Sequence, residues 1–284
     1  MDNLKKLKFV GFESNYPESE IVFIGIPFDG TSSYRAGSRF GPIFLREASD
    51  SIETYSIVQK KDLLDKRICD AGDMILPVGN TERALQEIET RISSILRDRK
   101  KVFSFGGEHL ITLPVLKAFL DSYDDLFLIY IDAHADLRDE YLGERLSHAT
   151  VLRRVCEILS GENIFHIGTR SGEKSEIEFG EENINFYPSF VLEKLKEVNE
   201  RIPASVPVYL SVDLDVLDPS VAPGVGNPEP GGISFNSLLN CICMFGEKNI
   251  VGMDIVELSP HYDPSGVSAI VAAKLVREMI LLFK

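Results

Sequence analysis

Four short segments of the chain hold most of its ionisable chemistry. Gly106-Gly107-Glu108-His109 follows the apolar run VFSF, and Asp132-Ala133-His134-Ala135-Asp136 follows LFLIY. Ser211-Val212-Asp213-Leu214-Asp215 follows VPVYL, and Asp254-Ile255-Val256-Glu257 ends the last such run. Each run reads as a strand, and open α/β sheets bind ligands beyond the carboxyl ends of their strands. Residues i and i+2 of a strand share a face, roughly 6.5 Å apart. Asp132 with His134, and Asp213 with Asp215, are therefore expected to project together, with Ala133 and Ala135 leaving room. The paired glycines permit a sharp turn or a close backbone approach just before His109.

A single aspartate at a strand end is ordinarily a turn or cap residue. Several of them on apolar strands are different, because burying carboxylates without cations is costly. His109, Asp132, His134, Asp136, Asp213 and Asp215 supply four carboxylates and two imidazoles. That is too many ligands for one tetrahedral zinc, and no thiolate is among them. The set suits two oxygen-preferring divalent ions bridged by carboxylates, with the imidazoles favouring Mn²⁺ over Mg²⁺. Four negative charges offset two such ions.

The elements that must position these groups follow from the apolar pattern. Runs at 21–27, 102–106, 126–132, 163–168, 206–213 and 250–256 read as strands, apolar nearly throughout, as in a parallel sheet covered on both faces. Helical periodicity spans 79–99, with Leu85, Ile88, Ile92, Ile95 and Leu96 on one side. Ser147 is expected to cap a helix running to Leu159, Ser189 and Ser234 to cap two more, and a last helix covers about 266–283. Alternating strands and helices predict an open, doubly wound α/β sandwich, with a barrel as the alternative.

Composition narrows the partners. The chain has 284 residues, 44% of them apolar, enough for the core of one α/β domain spanning 1–284. A formal charge of −14 argues against nucleic acid and anionic membrane and is compatible with cationic substrates. No cationic stretch leading into an apolar one marks a signal peptide, and Lys274, Arg277 and Glu278 keep the last helix from spanning a bilayer. Cys69, Cys156, Cys241 and Cys243 form no C-x-x-C pair and read as reduced thiols, so a cytoplasmic setting is expected.

G-G-E-H, D-A-H-A-D and S-V-D-L-D-V-L-D-P resemble the signature segments of the ureohydrolase (arginase–agmatinase) family. The resemblance covers nearly the whole chain. It includes GIPFDGTSSYRAGSRFGP (Gly25–Pro42), SHAT (Ser147–Thr150), GTRSG (Gly168–Gly172), GNPEPGG (Gly226–Gly232) and DIVELSPHYDPSGVSAIVAAK (Asp254–Lys274). It implies a three-layer α/β/α fold with an eight-stranded, mainly parallel sheet, and homotrimers or homohexamers. It implies two Mn²⁺ ions on His109, Asp132, His134, Asp136, Asp213 and Asp215. Asp132 and Asp213 would bridge them, with His109 on one ion and His134 on the other. Two departures stand out: Glu108 replaces the more frequent aspartate, and Asn227 stands where agmatinases often have threonine.

The implied reaction is hydrolysis of a guanidinium group to urea and an amine, and the cationic substrate suits the acidic chain. Glu257 is the candidate guanidinium partner, since a carboxylate accepts two parallel N–H bonds from that planar fork. His148 is the candidate proton shuttle. Asn227 and Glu229 are candidate contacts to the substrate's tail, Glu229 toward its far amine. His166 reads as structural or as support behind the ligands, and His261 could line the entrance.

Leu137–Leu146 (LRDEYLGERL) lacks the polar anchors that arginases are expected to present to an amino acid, whereas GTRSG and PEPGG look like agmatinases. Agmatine, or N1-aminopropylagmatine, is therefore the expected substrate, with putrescine or a related polyamine as product and polyamine biosynthesis as the setting. Guanidinobutyrase and arginase activities are the alternatives within the family. A metal-dependent deacetylase-like enzyme would need fewer ligands, and a non-catalytic guanidine-binding protein would be expected to lack one.

Overall fold

The structure is a computed structural model that describes residues 7–188, 190 and 192–284. Its strands are β1 (Ile21–Ile26), β2 (Tyr55–Ser56), β3 (Lys61–Asp62), β4 (Ile68–Asp73), β5 (Lys101–Gly106), β6 (Phe127–Ile131), β7 (Ile164–Ile167), β8 (Asn185–Tyr187), β9 (Pro207–Asp213) and β10 (Asn249–Val256). Eight of them form one sheet in the order β4-β1-β5-β10-β9-β6-β7-β8, with every pairing parallel. β2 and β3 make a separate antiparallel pair.

Alternation along the strands builds a core on each face of the sheet. In β1, Ile21 and Phe23 face one core, and Val22, Ile24 and Ile26 face the other. The first core is closed by α1 (Gly41–Ser49), α6 (Leu192–Arg201), α7 (Phe235–Met244) and α8 (Val267–Ile280). The second is closed by α2 (Thr81–Arg97), α3 (Thr112–Leu120) and α4 (Val151–Val155), with Phe179 of α5 (Lys174–Asn183) packed at its margin. The result is the three-layer α/β/α arrangement with an eight-stranded parallel sheet. Helix α2 shows why these residues fold so: Ala84, Leu85, Ile88, Ile92, Ile95 and Leu96 form its buried stripe, and Asn80 Oδ1 caps the amide of Arg83 at 2.9 Å.

All six strands expected from the sequence are present. The two edge strands were harder to see: β4 reads ICDAGD, and β8 is three residues long. Cys69 lies at the second position of β4, at its buried start. Ser234 caps α7 through the amide of Ser237 at 3.1 Å. Ser147 also caps, but the element it opens is a 3₁₀ turn, His148–Thr150, continued by α4 only to Val155 rather than Leu159. Ser189 lies outside the described residues. Helices α1, α3 and α5 add to those anticipated. Arg46 of α1 is 3% exposed and ties that helix to β4 through Asp70 (2.8 and 2.9 Å) and Asp73 (2.5 Å). Among the described residues, no helix is long and apolar enough to cross a membrane.

The order of the strands decides where chemistry can occur. β5, β10, β9 and β6 are consecutive in the sheet, although the chain lays down β6 before β9 and β10. The four acidic segments follow or close these four neighbours, so all of them open onto one rim.

Candidate metal centre

His109 begins a 3₁₀ turn just past β5, and the approach to it requires glycine. A Cβ at Gly107 would lie 1.8 Å from the carbonyl oxygen of Phe28. That carbonyl accepts from Glu108 N at 2.7 Å, and Gly107 O accepts from Glu257 N at 2.8 Å. The Gly107 backbone thereby locks His109 and Glu257 to one another, and Glu257 Oε1 accepts from His109 N at 2.9 Å.

The D-x-[HD] pairs converge by a different route from the one their spacing suggested. β6 ends at Ile131, and Asp132 then bends the chain by accepting from His134 N at 2.6 Å. Asp213 ends β9 and accepts from Asp215 N at 2.7 Å. Both pairs are carboxylate-capped turns rather than alternate positions on a strand face. Asp136 and Glu257 both have left-handed backbones, φ 54° and 67°. Such conformations are costly for non-glycine residues and concentrate at functional sites.

These turns bring all six residues together. His109 Nδ1 lies 2.8 Å from Asp132 Oδ2, 3.2 Å from Asp213 Oδ2 and 3.6 Å from Asp136 Oδ2. His134 Nδ1 lies 2.9 Å from Asp215 Oδ2 and 3.7 Å from Asp132 Oδ1. Two ligand triads result, His109–Asp132–Asp213 and Asp132–His134–Asp215, and they share Asp132. Asp136 stands beside the first.

The electrostatics are those of a site built for cations. Burial pushes the imidazole of His109 down, but hydrogen bonds and charges from Asp132 and Asp213 outweigh it and hold the group well above the usual histidine range. Burial raises Asp132, and His109 and His134 overcome that to hold it well below the usual carboxylate range. Asp136 is pushed well up by burial and by the charge of Asp132, and Asp213 by burial and by Asp215 and Asp132. Protons thus balance this cluster when no cation does. Asp132 Oδ2 is buried and lies 2.8 Å from His109 Nδ1 without the alignment of a good hydrogen bond, as two groups turned toward a shared metal would.

The groups behind the ligands fit the same use. His109 Nε2 meets Ser211 Oγ at 2.9 Å, and that hydroxyl donates to Asp254 Oδ1 at 2.6 Å. Ser211 can therefore only accept from the imidazole, which puts a proton on Nε2 and makes Nδ1, the nitrogen facing the carboxylates, the one that would give up its proton to a cation. Tyr209 and Thr112 also donate to Asp254, at 2.8 and 2.9 Å. Tyr130 stacks on His109 at 4.3 Å and donates to Asp136 Oδ2 at 2.7 Å. His166 stands edge-on to Tyr130 at 5.1 Å and is held low, to about 4, by burial; it supports the site without facing it.

A cavity of about 540 Å³ opens over the six residues. His148, Glu257, Asn227 and Glu229 all line it, as do Ser33, Arg35, Arg138, Tyr141 and Glu173, which the sequence reading had not singled out. Burial, then the charges of Glu108 and Asp215, pushes Glu257 up to about 8. Burial holds His148 down, to about 4. Arg170 fastens the loop of Glu229 to the centre, donating to the carbonyls of Glu229 at 2.6 Å and Asp215 at 2.7 Å. His261 is not part of the cavity wall; it packs edge-on between Phe40 and Phe44.

Comparison with known proteins places this geometry. The model of the Arginase family matches residues 19–282. An agmatinase of Halalkalibacterium halodurans is 45% identical over 276 residues, 96% of this chain and 95% of its own. An agmatinase of Bacillus subtilis is 44% identical over 278 residues, 97% and 96% of the two chains. The crystal structure of a putative agmatinase from Clostridium difficile superposes with a TM-score of 0.91 at 43% identity, covering 94% of this chain and 98% of that one.

Proposed function

The chain belongs to the arginase family, and from that membership we propose that it is a binuclear manganese ureohydrolase that cleaves agmatine, or its aminopropyl derivative, to urea and a polyamine. The observation that carries this reading is a pair of ligand triads sharing Asp132, with the Glu257 carboxylate in the same cavity. Full-length similarity to agmatinases supports the choice of substrate.

His109, Asp132, Asp136 and Asp213 would hold one ion, and Asp132, His134, Asp213 and Asp215 the other. Such a pair supplies Lewis acidity and a nucleophilic water at neutral pH. Glu257 receives the guanidinium, whose planar fork can donate two parallel N–H bonds to a carboxylate. The approaching cation offsets the burial and the neighbouring charges that keep Glu257 protonated, so binding favours its ionised form. The His109 amide on Oε1 keeps this carboxylate aimed beside the ligands. His148 is kept neutral by burial, so it can take a proton at the cavity wall and return it to the departing nitrogen. Glu229 faces the far ammonium of the substrate, and Asn227 borders the tail. The protein acts in the cytoplasm in polyamine biosynthesis as a homotrimer or homohexamer.

The test is urea release by the Mn²⁺-loaded protein from agmatine, N1-aminopropylagmatine, arginine and guanidinobutyrate. Agmatine or its aminopropyl form should be the best substrate. Arginine as the best would overturn the substrate assignment, and absence of urea from all four would overturn the activity.

A further inference from the structure

One buried carboxylate beside the centre has no place in the chemistry above. Glu108 is fully buried, and its hydrogen-bond donors come from a distant loop. Thr31 N donates to Oε2 at 2.9 Å, Ser32 Oγ donates to the same oxygen at 3.2 Å, and the Thr31 hydroxyl donates to Oε1. That loop next meets His148. Thr31 Oγ1 accepts from His148 N at 3.0 Å and lies 3.4 Å from His148 Nδ1. Ser33 Oγ lies 3.3 Å from His148 Nε2 on the cavity side.

A hydroxyl has one proton. Thr31 gives it to Glu108 and can offer the His148 ring only lone pairs. The nitrogen facing Thr31 can then donate to it and to Ser147 Oγ, 3.3 Å away, and a hydrogen there leaves the opposite nitrogen bare. Resting on the shuttle role given above to His148, we propose that Thr31 is a positioning residue. Held by Glu108, it fixes His148 as the Nδ1–H tautomer with Nε2 open to the substrate's leaving nitrogen. Tyr141 completes the restraint, standing edge-on to the His148 ring at 5.6 Å. The unusual Glu108 thereby acquires a task, linking the residue next to a metal ligand with the orientation of a proton carrier.

The test compares Thr31→Val, which keeps the shape and removes the hydroxyl, with Thr31→Ser, which keeps the hydroxyl. General acid–base groups contribute roughly 10²–10⁴ in rate, and misorienting one should forfeit about tenfold or more of that. Thr31→Val should lower kcat by about that factor with KM and bound metal unchanged, and Thr31→Ser should restore kcat. The double variant Thr31→Val/His148→Ala should be no slower than His148→Ala, because the effect of Thr31 on the rate runs through the imidazole, its bonds to Glu108 and to the His148 amide serving to place that ring. A crystal structure of Thr31→Val should show the His148 ring turned from its present contacts. Normal kcat in Thr31→Val, loss of metal with the hydroxyl, or additive losses in the double variant would each overturn the proposal. Undiminished turnover in His148→Ala would instead remove the shuttle role on which it rests.

Discussion

Replacing Gly107 by alanine should disable the centre without touching a ligand. The added Cβ would stand 1.8 Å from Phe28 O, 2.6 Å from Phe28 C and 2.8 Å from Phe28 N, whereas real Cβ contacts essentially never fall below 3.0 Å. All three atoms are backbone, so no rotamer change relieves the clash. The two segments must part by more than an ångström. Phe28 is held by hydrogen bonds to Ile26 O and from Glu108 N, so the displacement falls on the turn that carries His109 and on Glu257, whose amide binds Gly107 O. A misplacement of about 1 Å at a reacting centre costs roughly 100-fold. Gly107→Ala should therefore lower kcat/KM by at least that factor and weaken retention of metal under dialysis. Gly79→Ala is the comparison. Gly79 has a positive φ (74°), which Gly107 does not, and nothing lies within 4 Å of its Cβ position, so alanine there should cost a little stability through backbone strain and no turnover. Folded Gly107→Ala protein with full metal content and kcat/KM within threefold of the parent would refute the packing argument.

Metal removal should make stability fall as pH rises. His109 and His134 are held above their ordinary values, so their contribution is full below the unfolded pKa near 6.5 and is lost as pH climbs toward their folded values. Asp136 and Asp213 are carboxyls raised on folding and act in the same sense, while Asp132, lowered, contributes constantly above about pH 5. His148 and His166, lowered to about 4, act in the opposite sense only up to about pH 7, so denaturation midpoints of the chelated protein should drop from about pH 7 to 8.5, at up to about 1.4 kcal/mol per pH unit per proton; a flat or rising profile there contradicts the assigned charges. Glu257→Gln keeps the shape but removes the charge that meets the guanidinium, worth about 1.5–3 kcal/mol or roughly 10- to 100-fold in kcat/KM for agmatine; steady-state kinetics with unchanged metal content checks it. Arg46→Ala leaves the buried Asp70 carboxylate unpaired and should cost roughly 3–5 kcal/mol. The melting temperature should fall on the order of 10 °C, and Asp70→Asn in the same chain should recover part of it.

What was legible in the sequence, and what was not, follows from how far each interaction reaches along the chain. Six strands could be read because their burial on both faces writes a continuous apolar run. β4 and β8, at the sheet's edges, carry polar residues in such runs and were obscured. The carboxylates and imidazoles of the candidate centre were conspicuous because their types are improbable on apolar strands. Their convergence had a misread cause: Asp132 and Asp213 turn the chain by capping, and that depends on where β6 and β9 stop, which periodicity locates only loosely. The supporting hydroxyls were harder still. Tyr130 and Ser211 sit in apolar strands with nothing local to distinguish them, and their work concerns His109, 21 and 102 residues away. Thr31 meets Glu108 and His148 across 77 and 117 residues. A ligand set can be written in residue types at short spacing, but the protonation and aim of those ligands are settled by partners that only the fold makes neighbours. For this reason a two-cation centre was readable from four segments, and the reaction from the family resemblance they carry together with the rest of the chain. Its efficiency should instead respond to Thr31, Ser211 and Gly107, residues whose own types announce no chemistry.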